Sequence, residues 1–439
     1  MFVVSKPSQV AHTVLSGRLA EDATRHGEDG TDSFDGMEDE VSKDIILTLD
    51  FNDHVVSEDR VCDAEYIDQI ITKAAQRNVT TVLWRTMAGP RGLYRSRSVP
   101  TFEDQEMNLH PNWKGLLDVV DPLQAAVTSA HAHGLKILAF APLQDYHIVR
   151  TDQKNTSPFY DQRPYLNWLK FDGTQTYMGI PCYAYDEARR YYLDHIEEVL
   201  NYGVDGVYVC FRSHAGEPAV ADDHAADEDD SYGYNEPWMQ QIRGELGISP
   251  SPGTIRASSW LSRRMQMLRG RSYTILLQGV RELVGSKPLW VGVAEEPDLL
   301  IAGNTEKDRP AHHRVRLDVS GWCRNGLVDA VLVVTGRSNP CDPSPAELYR
   351  DATARFGKSL YAWLNMIAFF RGPDGSAQKR TPTPDELRAI VRSAEDACVD
   401  GLVLHEVLGL EFSYLKRAPG DVLRGPHHDR DAQWDALMG

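Results

Sequence analysis

The chain has 439 residues, of which 42% are hydrophobic and 25% charged, and it carries a formal net charge of −18. That balance belongs to a globular protein with a sizeable core, and the negative charge disfavours a nucleic-acid partner. No run of about 18 apolar residues occurs, so no membrane span is expected. The opening MFVVSKPSQVAHTVL lacks the basic start and unbroken apolar core of a secretory signal, so a soluble, cytoplasmic protein is expected.

Residues 1–43 are rich in Ser, Asp, Glu and Gly without a sustained apolar period, and read as a flexible or surface-draped extension. Eight short apolar runs then follow: IILTLDF from Ile45, TTVLWRT from Thr80, KILAFAP from Lys136, DGVYVCF from Asp205, PLWVGVA from Pro288, DAVLVVT from Asp329, SLYAWLN from Ser359 and DGLVLHE from Asp400. Nearly continuous apolar strands separated by helical patterns predict a parallel sheet covered by helices, and eight such units close it into an α/β fold, a (βα)8 TIM barrel spanning 44–415. Helices are expected at Asp63–Arg77, Asp121–His133, Asp186–Leu200, Ser258–Val284 and Pro384–Ala397; Asp121-Pro122 and Thr383-Pro384 read as N-caps followed by proline. The barrel portion exceeds the ~250 residues of a minimal barrel, which predicts enlarged βα loops after strands two to five. Residues 416–439 are expected to form a C-terminal tail.

The six cysteines, Cys62, Cys182, Cys210, Cys323, Cys341 and Cys398, include no CxxC pair, so reduced thiols are expected rather than disulfides or a zinc site. The acidic run EPAVADDHAADEDD from Glu217 lacks the ligand spacing of a calcium loop and reads as a solvated insertion. His131, His133, His312-His313 and His427-His428 do not space as a metal site. No GxxxxGK[ST], no GxGxxG after a strand and no GxSxG element occurs, so no nucleotide cofactor or serine nucleophile is expected. No cofactor and no metal are expected, and a homo-oligomer is compatible with the sequence.

Barrel active sites gather where the strands end. Acids stand at four such addresses: Asp50, with Asp53 behind it, after strand one; Glu236 beyond strand four; Glu295 and Glu296 after strand five; and Glu406 after strand eight. Paired carboxyls are what glycosidic cleavage needs, one protonated to assist departure and one ionised as nucleophile or base. Glu406 is the leading candidate, with Asp50, Glu236 or Glu295 as its partner. Glu406 and His405 are neighbours on a strand, so only one of them can face the barrel interior. Each acid also has a plain structural reading: Glu236, after Asn235 and before Pro237, opens a helix, and Asp50 or Glu406 can pair with an arginine.

Substrate-binding candidates are Arg85 at the end of strand two, Gln144 and Asp145 after strand three, Arg212 and His214 after strand four, Asn235, Trp363 and Asn365 on strand seven, and His405. Arg91, Arg95 and Arg97 surround Tyr94 in the loop after strand two. An arginine fork can take a carboxylate or sulfate, and an aromatic face can stack on a sugar, so an acidic saccharide suits this set. The same arginines can instead neutralise Asp50 and Glu406 in a buried network. Trp363 and Asn365 share a face; the tryptophan is either a sugar platform or core packing.

The stretch YDEARRYYLDHIEEVLNYGVDGVYVCFRSH, followed by SYGYNEPWMQQIRGELGI, resembles the group of family-10-like glycosyl hydrolases, most clearly over strands three to five. The resemblance implies a barrel that handles glycans, of largely unassigned substrate. Relatives of that pattern carry an aspartate on strand four where this chain has Cys210, a departure that puts hydrolysis itself in question. The Asn235-Glu236 pair is similar to the Asn-Glu of the large glycosidase clan with this fold, though here it lies well past the strand. The reading is therefore a hydrolase-like barrel acting on a carbohydrate. Its rivals are a non-hydrolytic carbohydrate-binding barrel and a lyase or isomerase of acidic sugars.

Overall fold

The structure is a computed structural model, and it describes residues 43–58, 60–104, 111–150, 153–211, 231–294, 299–302, 313–334, 343–366, 368–371, 377–405 and 430–438. Eight parallel strands close a barrel: β1 (Asp44–Leu49), β2 (Thr81–Arg85), β3 (Lys136–Pro142), β4 (Gly206–Cys210), β5 (Leu289–Ala294), β6 (Ala330–Val334), β7 (Ser359–Asn365) and β8 (Gly401–His405). Each strand pairs with its neighbours in sequence, and β8 pairs with β1. The helices that follow them are α1 (Ala64–Gln76), α2 (Pro122–Ala132), α3 (Asp186–Leu200), α4 (Ser259–Val284), α5 (Val319–Arg324), α6 (Glu347–Ala354), α7 (Pro384–Asp396) and α8 (Arg430–Met438). The (βα)8 fold expected from the sequence is thus the fold observed. Thr383 caps α7 in a full capping box with Glu386, whereas Asp121 stands at the cap of α2 but spends a carboxylate oxygen on the Tyr202 hydroxyl, 2.8 Å away.

The stretch expected as a tail ends in α8, which takes the place of an eighth barrel helix. It packs on α7, with Trp434 buried and Gln433 donating to the Pro382 carbonyl at 2.7 Å. On its other side Arg77, the C-cap of α1, bonds Asp431 at 2.6 Å and lies 5.7 Å over the Trp434 ring. A tryptophan and two small or aliphatic residues, Ala436 and Leu437, supply the apolar side that makes docking favourable.

At the foot of the barrel, where strands begin, one short pattern recurs: Val-Asp-Gly at 204–206, Val-Asp-Ala at 328–330 and Val-Asp-Gly at 399–401. Each valine is buried. Each aspartate grips one residue of the preceding strand twice, its carboxylate accepting from that residue's N–H while its own N–H donates to the same residue's carbonyl. The carboxylate bonds are Asp205 to Ile137 (2.8 Å), Asp329 to Leu289 (2.9 Å) and Asp400 to Leu360 (2.7 Å). The return bonds are each 2.8 Å. The following residue must be small at Gly206 and Gly401, because a Cβ there would lie 2.4 Å from the Pro288 carbonyl and 2.2 Å from that of Asp44.

Side chains alternate between two layers. One set packs outward against the helices, and the other fills the barrel with Ile46, Leu83, Phe140, Tyr208, Trp290 and Trp363 among its members. The filling is unusually aromatic: Phe140 meets Tyr208 edge-on at 5.0 Å, and Trp290 meets Tyr361 at 5.1 Å. Such bulk requires gaps elsewhere. Gly292 supplies one, since a Cβ there would stand 2.0 Å from the Tyr208 hydroxyl.

Candidate active site at the barrel mouth

Period-two alternation decides which side chains reach the mouth. On β1 the register that turns Ile46 inward also turns Thr48 and Asp50 inward; on β2 it turns Leu83 and Arg85; on β8, Val403 and His405. Asp50 follows β1 directly and caps the short helix Phe51–Ser57, accepting from the Asn52 N–H at 3.0 Å. Its other oxygen accepts from Arg85 Nη1 at 2.6 Å, while Arg85 Nη2 donates to Asp145 at 2.9 Å. One guanidinium from β2 thus ties the loop after β1 to the loop after β3.

This triad is buried, the three side chains being 13%, 10% and 2% exposed for Asp50, Arg85 and Asp145. Burial works against the charged guanidinium, but Asp50, Asp145 and Asp53 more than offset it and hold its pKa above the ordinary arginine value. Arg85 also lies 5.7 Å over the Phe140 ring. Both of its terminal nitrogens are committed to carboxylates. Of the two sequence readings for this arginine, a neutralising partner for Asp50 is the one its geometry matches.

Across the mouth, Thr48 Oγ1 stands 2.7 Å from His405 Nδ1, and the His405 ring packs 4.7 Å from that of Trp363. With Thr48 as donor, the imidazole is the tautomer that carries its proton on Nε2. His405 lies on the inward register of β8, and Glu406 lies outside the described residues. Trp363 Nε1 donates to Asn365 Oδ1 at 3.3 Å, so the two do share the inner face. Trp363 is only 1% exposed and fills the barrel interior, which leaves no open face for a sugar. Cys210 also belongs to the interior layer, level with Pro142 and Gly292 on the neighbouring strands.

Other candidates stand elsewhere. Glu236 opens the helix Glu236–Leu246, with its carboxylate paired to Arg243 and accepting from Gln240 at 3.1 Å; its side chain is 58% exposed. That is the helix-start reading, remote in character from the buried triad. Asn235 occupies the cap position, yet its side chain does not cap. Its amide instead accepts from Leu169 N–H (2.9 Å) and donates to the carbonyls of Asn167 (2.8 Å) and Tyr165 (3.2 Å), locking the antiparallel pair Asn167–Leu169 and Thr176–Pro181 in place. Gln144 is buried and donates to the Tyr273 hydroxyl at 2.5 Å. Glu295, Arg212 and His214 lie outside the described residues, as do Cys341 and the acidic run.

The arginine-rich loop after β2 is fastened to α3. Glu198 accepts from Tyr94, Ser96, Ser98 and the N–H of Arg97, at 2.5–3.0 Å. Three residues earlier, His195 bonds Thr86 Oγ1 and the Tyr94 hydroxyl, both at 3.0 Å. Arg95 donates to the carbonyls of Leu117 and Asp118. Burial holds the His195 pKa down to about 4, so the ring is neutral. Tyr94 is buried and carries no exposed face for stacking. Neither this clamp nor Thr48 is among the residues expected from the sequence. For Thr48 the signal was present, two residues before Asp50 on a strand; for the clamp it was the i, i+3 spacing of His195 and Glu198 on one helix face.

Among the described residues no group of three or more His, Cys, Asp or Glu forms a metal site, and no helix is long and apolar enough to cross a membrane. Cys62, Cys182 and Cys323 are buried free thiols, Cys210 is buried as well, and Cys398 is an exposed thiol.

No protein-family model matches the sequence, and no curated protein matches it. Solved structures do share its fold. The PgaB (BpsB) glycoside hydrolase domain from Bordetella bronchiseptica is similar with a TM-score of 0.52 at 12% identity, over 91% of this chain and 99% of that one. A β-galactosidase from Bacillus circulans sp. alkalophilus is similar with a TM-score of 0.51 at 10% identity, over 91% of this chain and 56% of the other. At these identities the likeness is one of fold: this is a barrel of the kind glycoside hydrolases use.

Proposed function

We propose that this protein is a glycoside-hydrolase-like enzyme that cleaves a carbohydrate at the barrel mouth. The observation that carries the reading is the convergence of Asp50 and Asp145 on the buried Arg85, where three consecutive strands end. Asp50 accepts from the Asn52 N–H with one oxygen and from the Arg85 guanidinium with the other, a fixed orientation that suits it to stabilise positive charge or to act as nucleophile or base. The proton donor must come from another group, for which Glu406 stays the first candidate and Glu295 the second. His405, Asn365 and Asp145 are proposed to contact substrate. The family-10-like resemblance and the glycoside hydrolase domain of similar fold both support this reading. Because Arg85 is already forked between two carboxylates, this corner suits a neutral sugar better than the acidic one first expected.

The second reading, a barrel that binds carbohydrate without cutting it, draws on Cys210, whose side chain belongs to the inward layer at the end of β4. A turnover screen against neutral and acidic oligosaccharides, read by mass spectrometry, separates the two. Products heavier by one water, abolished in Asp50→Asn and in Glu406→Gln with binding retained, support hydrolysis. Unsaturated products point to a lyase. Saturable binding with no turnover overturns the hydrolase reading in favour of the second.

A further inference from the structure

The loop after β3 carries hydroxyl groups that the mouth chemistry does not use. Asp145 is followed by Tyr146, then by an antiparallel hairpin of His147–Arg150 and Gln153–Thr156, then by Ser157 and the short helix Pro158–Asp161. The Ser157 N–H donates to the Tyr146 carbonyl at 3.1 Å, closing the base of the hairpin. At that base the rings of Tyr146, Tyr160 and, from α3, Tyr191 stand 4.8, 5.7 and 5.9 Å apart in a triangle. Tyr146 and Tyr160 are each 1% exposed.

Neighbouring tyrosines provide an internal control. Tyr183 donates to the Leu143 carbonyl at 2.5 Å, Tyr192 to that of Ala141 at 3.1 Å, and Tyr273 bonds Gln144 at 2.5 Å. The hydroxyls of Tyr146 and Tyr160 are buried with no protein group in hydrogen-bond geometry, and those of Tyr191 and Ser157 are buried with no such partner beyond each other. Burial pushes the Tyr191 hydroxyl pKa up while the adjacent Ser157 offsets part of the rise, which places those two side by side. Burial likewise pushes Tyr146 and Tyr160 well up, so both stay neutral and can donate as well as accept. Buried hydroxyls left without partners, as those of Tyr146 and Tyr160 would be, each cost more than a hydrogen bond contributes. A neutral partner that both donates and accepts satisfies them, and water is the smallest.

We propose that Tyr146, Tyr160, Tyr191 and Ser157 form a binding site for internal water at the base of the hairpin that follows β3. The site would stitch the hairpin to α3 and brace the loop that holds Asp145. Its test reads stability and ordered solvent rather than turnover, so it stands or falls apart from the saccharide reading. In the full-length protein, Tyr146→Phe and Tyr160→Phe are each expected to lower Tm by about 1–3 °C. The double variant should lose less than the sum of the two, because both hydroxyls share one solvent cluster. A crystal structure should show ordered density between the hydroxyls that vanishes in the double variant. Equal or higher Tm in both single variants overturns the proposal, and so does crystal density showing the four groups packed with no solvent between them.

Discussion

The two ends of this barrel solve the same problem differently. At the foot, backbone groups at the strand starts are satisfied by a device used three times, an aspartate that grips the preceding strand with carboxylate and N–H alike. At the mouth nothing repeats: one arginine serves two aspartates, one threonine sets a histidine, and a cysteine occupies an inward position on β4. A repeated local device distributes stability over independent sites, whereas a single buried charge cluster concentrates it. The lesson is that the foot should yield gradually to substitution and the mouth abruptly.

Arg85→Met breaks the comparison hardest. It leaves Asp50 and Asp145 buried without their shared cation, and should cost about 3–5 kcal/mol in denaturant unfolding. A loss under about 1 kcal/mol would mean that the two acids are served by other groups. Acid comes next. His54 on the short helix after Asp50 and His195 in the loop clamp are both buried neutral, with pKa values pushed by burial to about 3 and about 4. The unfolded chain binds those protons near pH 6.5, so the stability these rings contribute is complete above that value and is lost as pH falls toward 4 and then 3. Both rings sit at the mouth end. Hydrogen exchange near pH 4 should therefore rise in residues 86–104 before it rises at the foot, and uniform protection would contradict this.

Gly292→Ala probes the shared interior. The new methyl meets the Tyr208 hydroxyl, and the expected loss is roughly 1–3 kcal/mol, partly recovered by adding Tyr208→Phe. The mildest effect belongs to the foot. Asp205→Ala, Asp329→Ala and Asp400→Ala should each cost on the order of 1 kcal/mol, additively, since they share no partner. Marked non-additivity would show that the three staples act as one ring.

The foot was more legible in the sequence than the mouth, for a physical reason. Each strand is a contiguous run, so its apolar period survives in one dimension, and KILAFAP and SLYAWLN coincide with β3 and β7 to the residue. The aspartates before β4, β6 and β8 were visible within their runs. The mouth is assembled from residues far apart: Asp50, Arg85 and Asp145 were all named as candidates, but nothing local says that they meet. Trp363 shows the limit in another form, since its place on the inner face follows from alternation while its depth depends on seven other strands. Glu236 was ambiguous because an acid at a helix start reads identically to an acid at a site. The eighth helix escaped because only three of its residues, Trp434, Ala436 and Leu437, give it an apolar side.

The bond between Thr48 and His405 joins residues 357 positions apart. During synthesis at roughly 5–20 residues per second, β1 therefore waits on the order of 20–70 s for the strand that completes its pairing. For that interval it presents an unpaired edge of Ile45, Ile46, Leu47 and Leu49, all of which end up buried. The ring that leaves the barrel sheet without an edge thus closes only once its eighth strand is made, and the cell must protect the first strand until then.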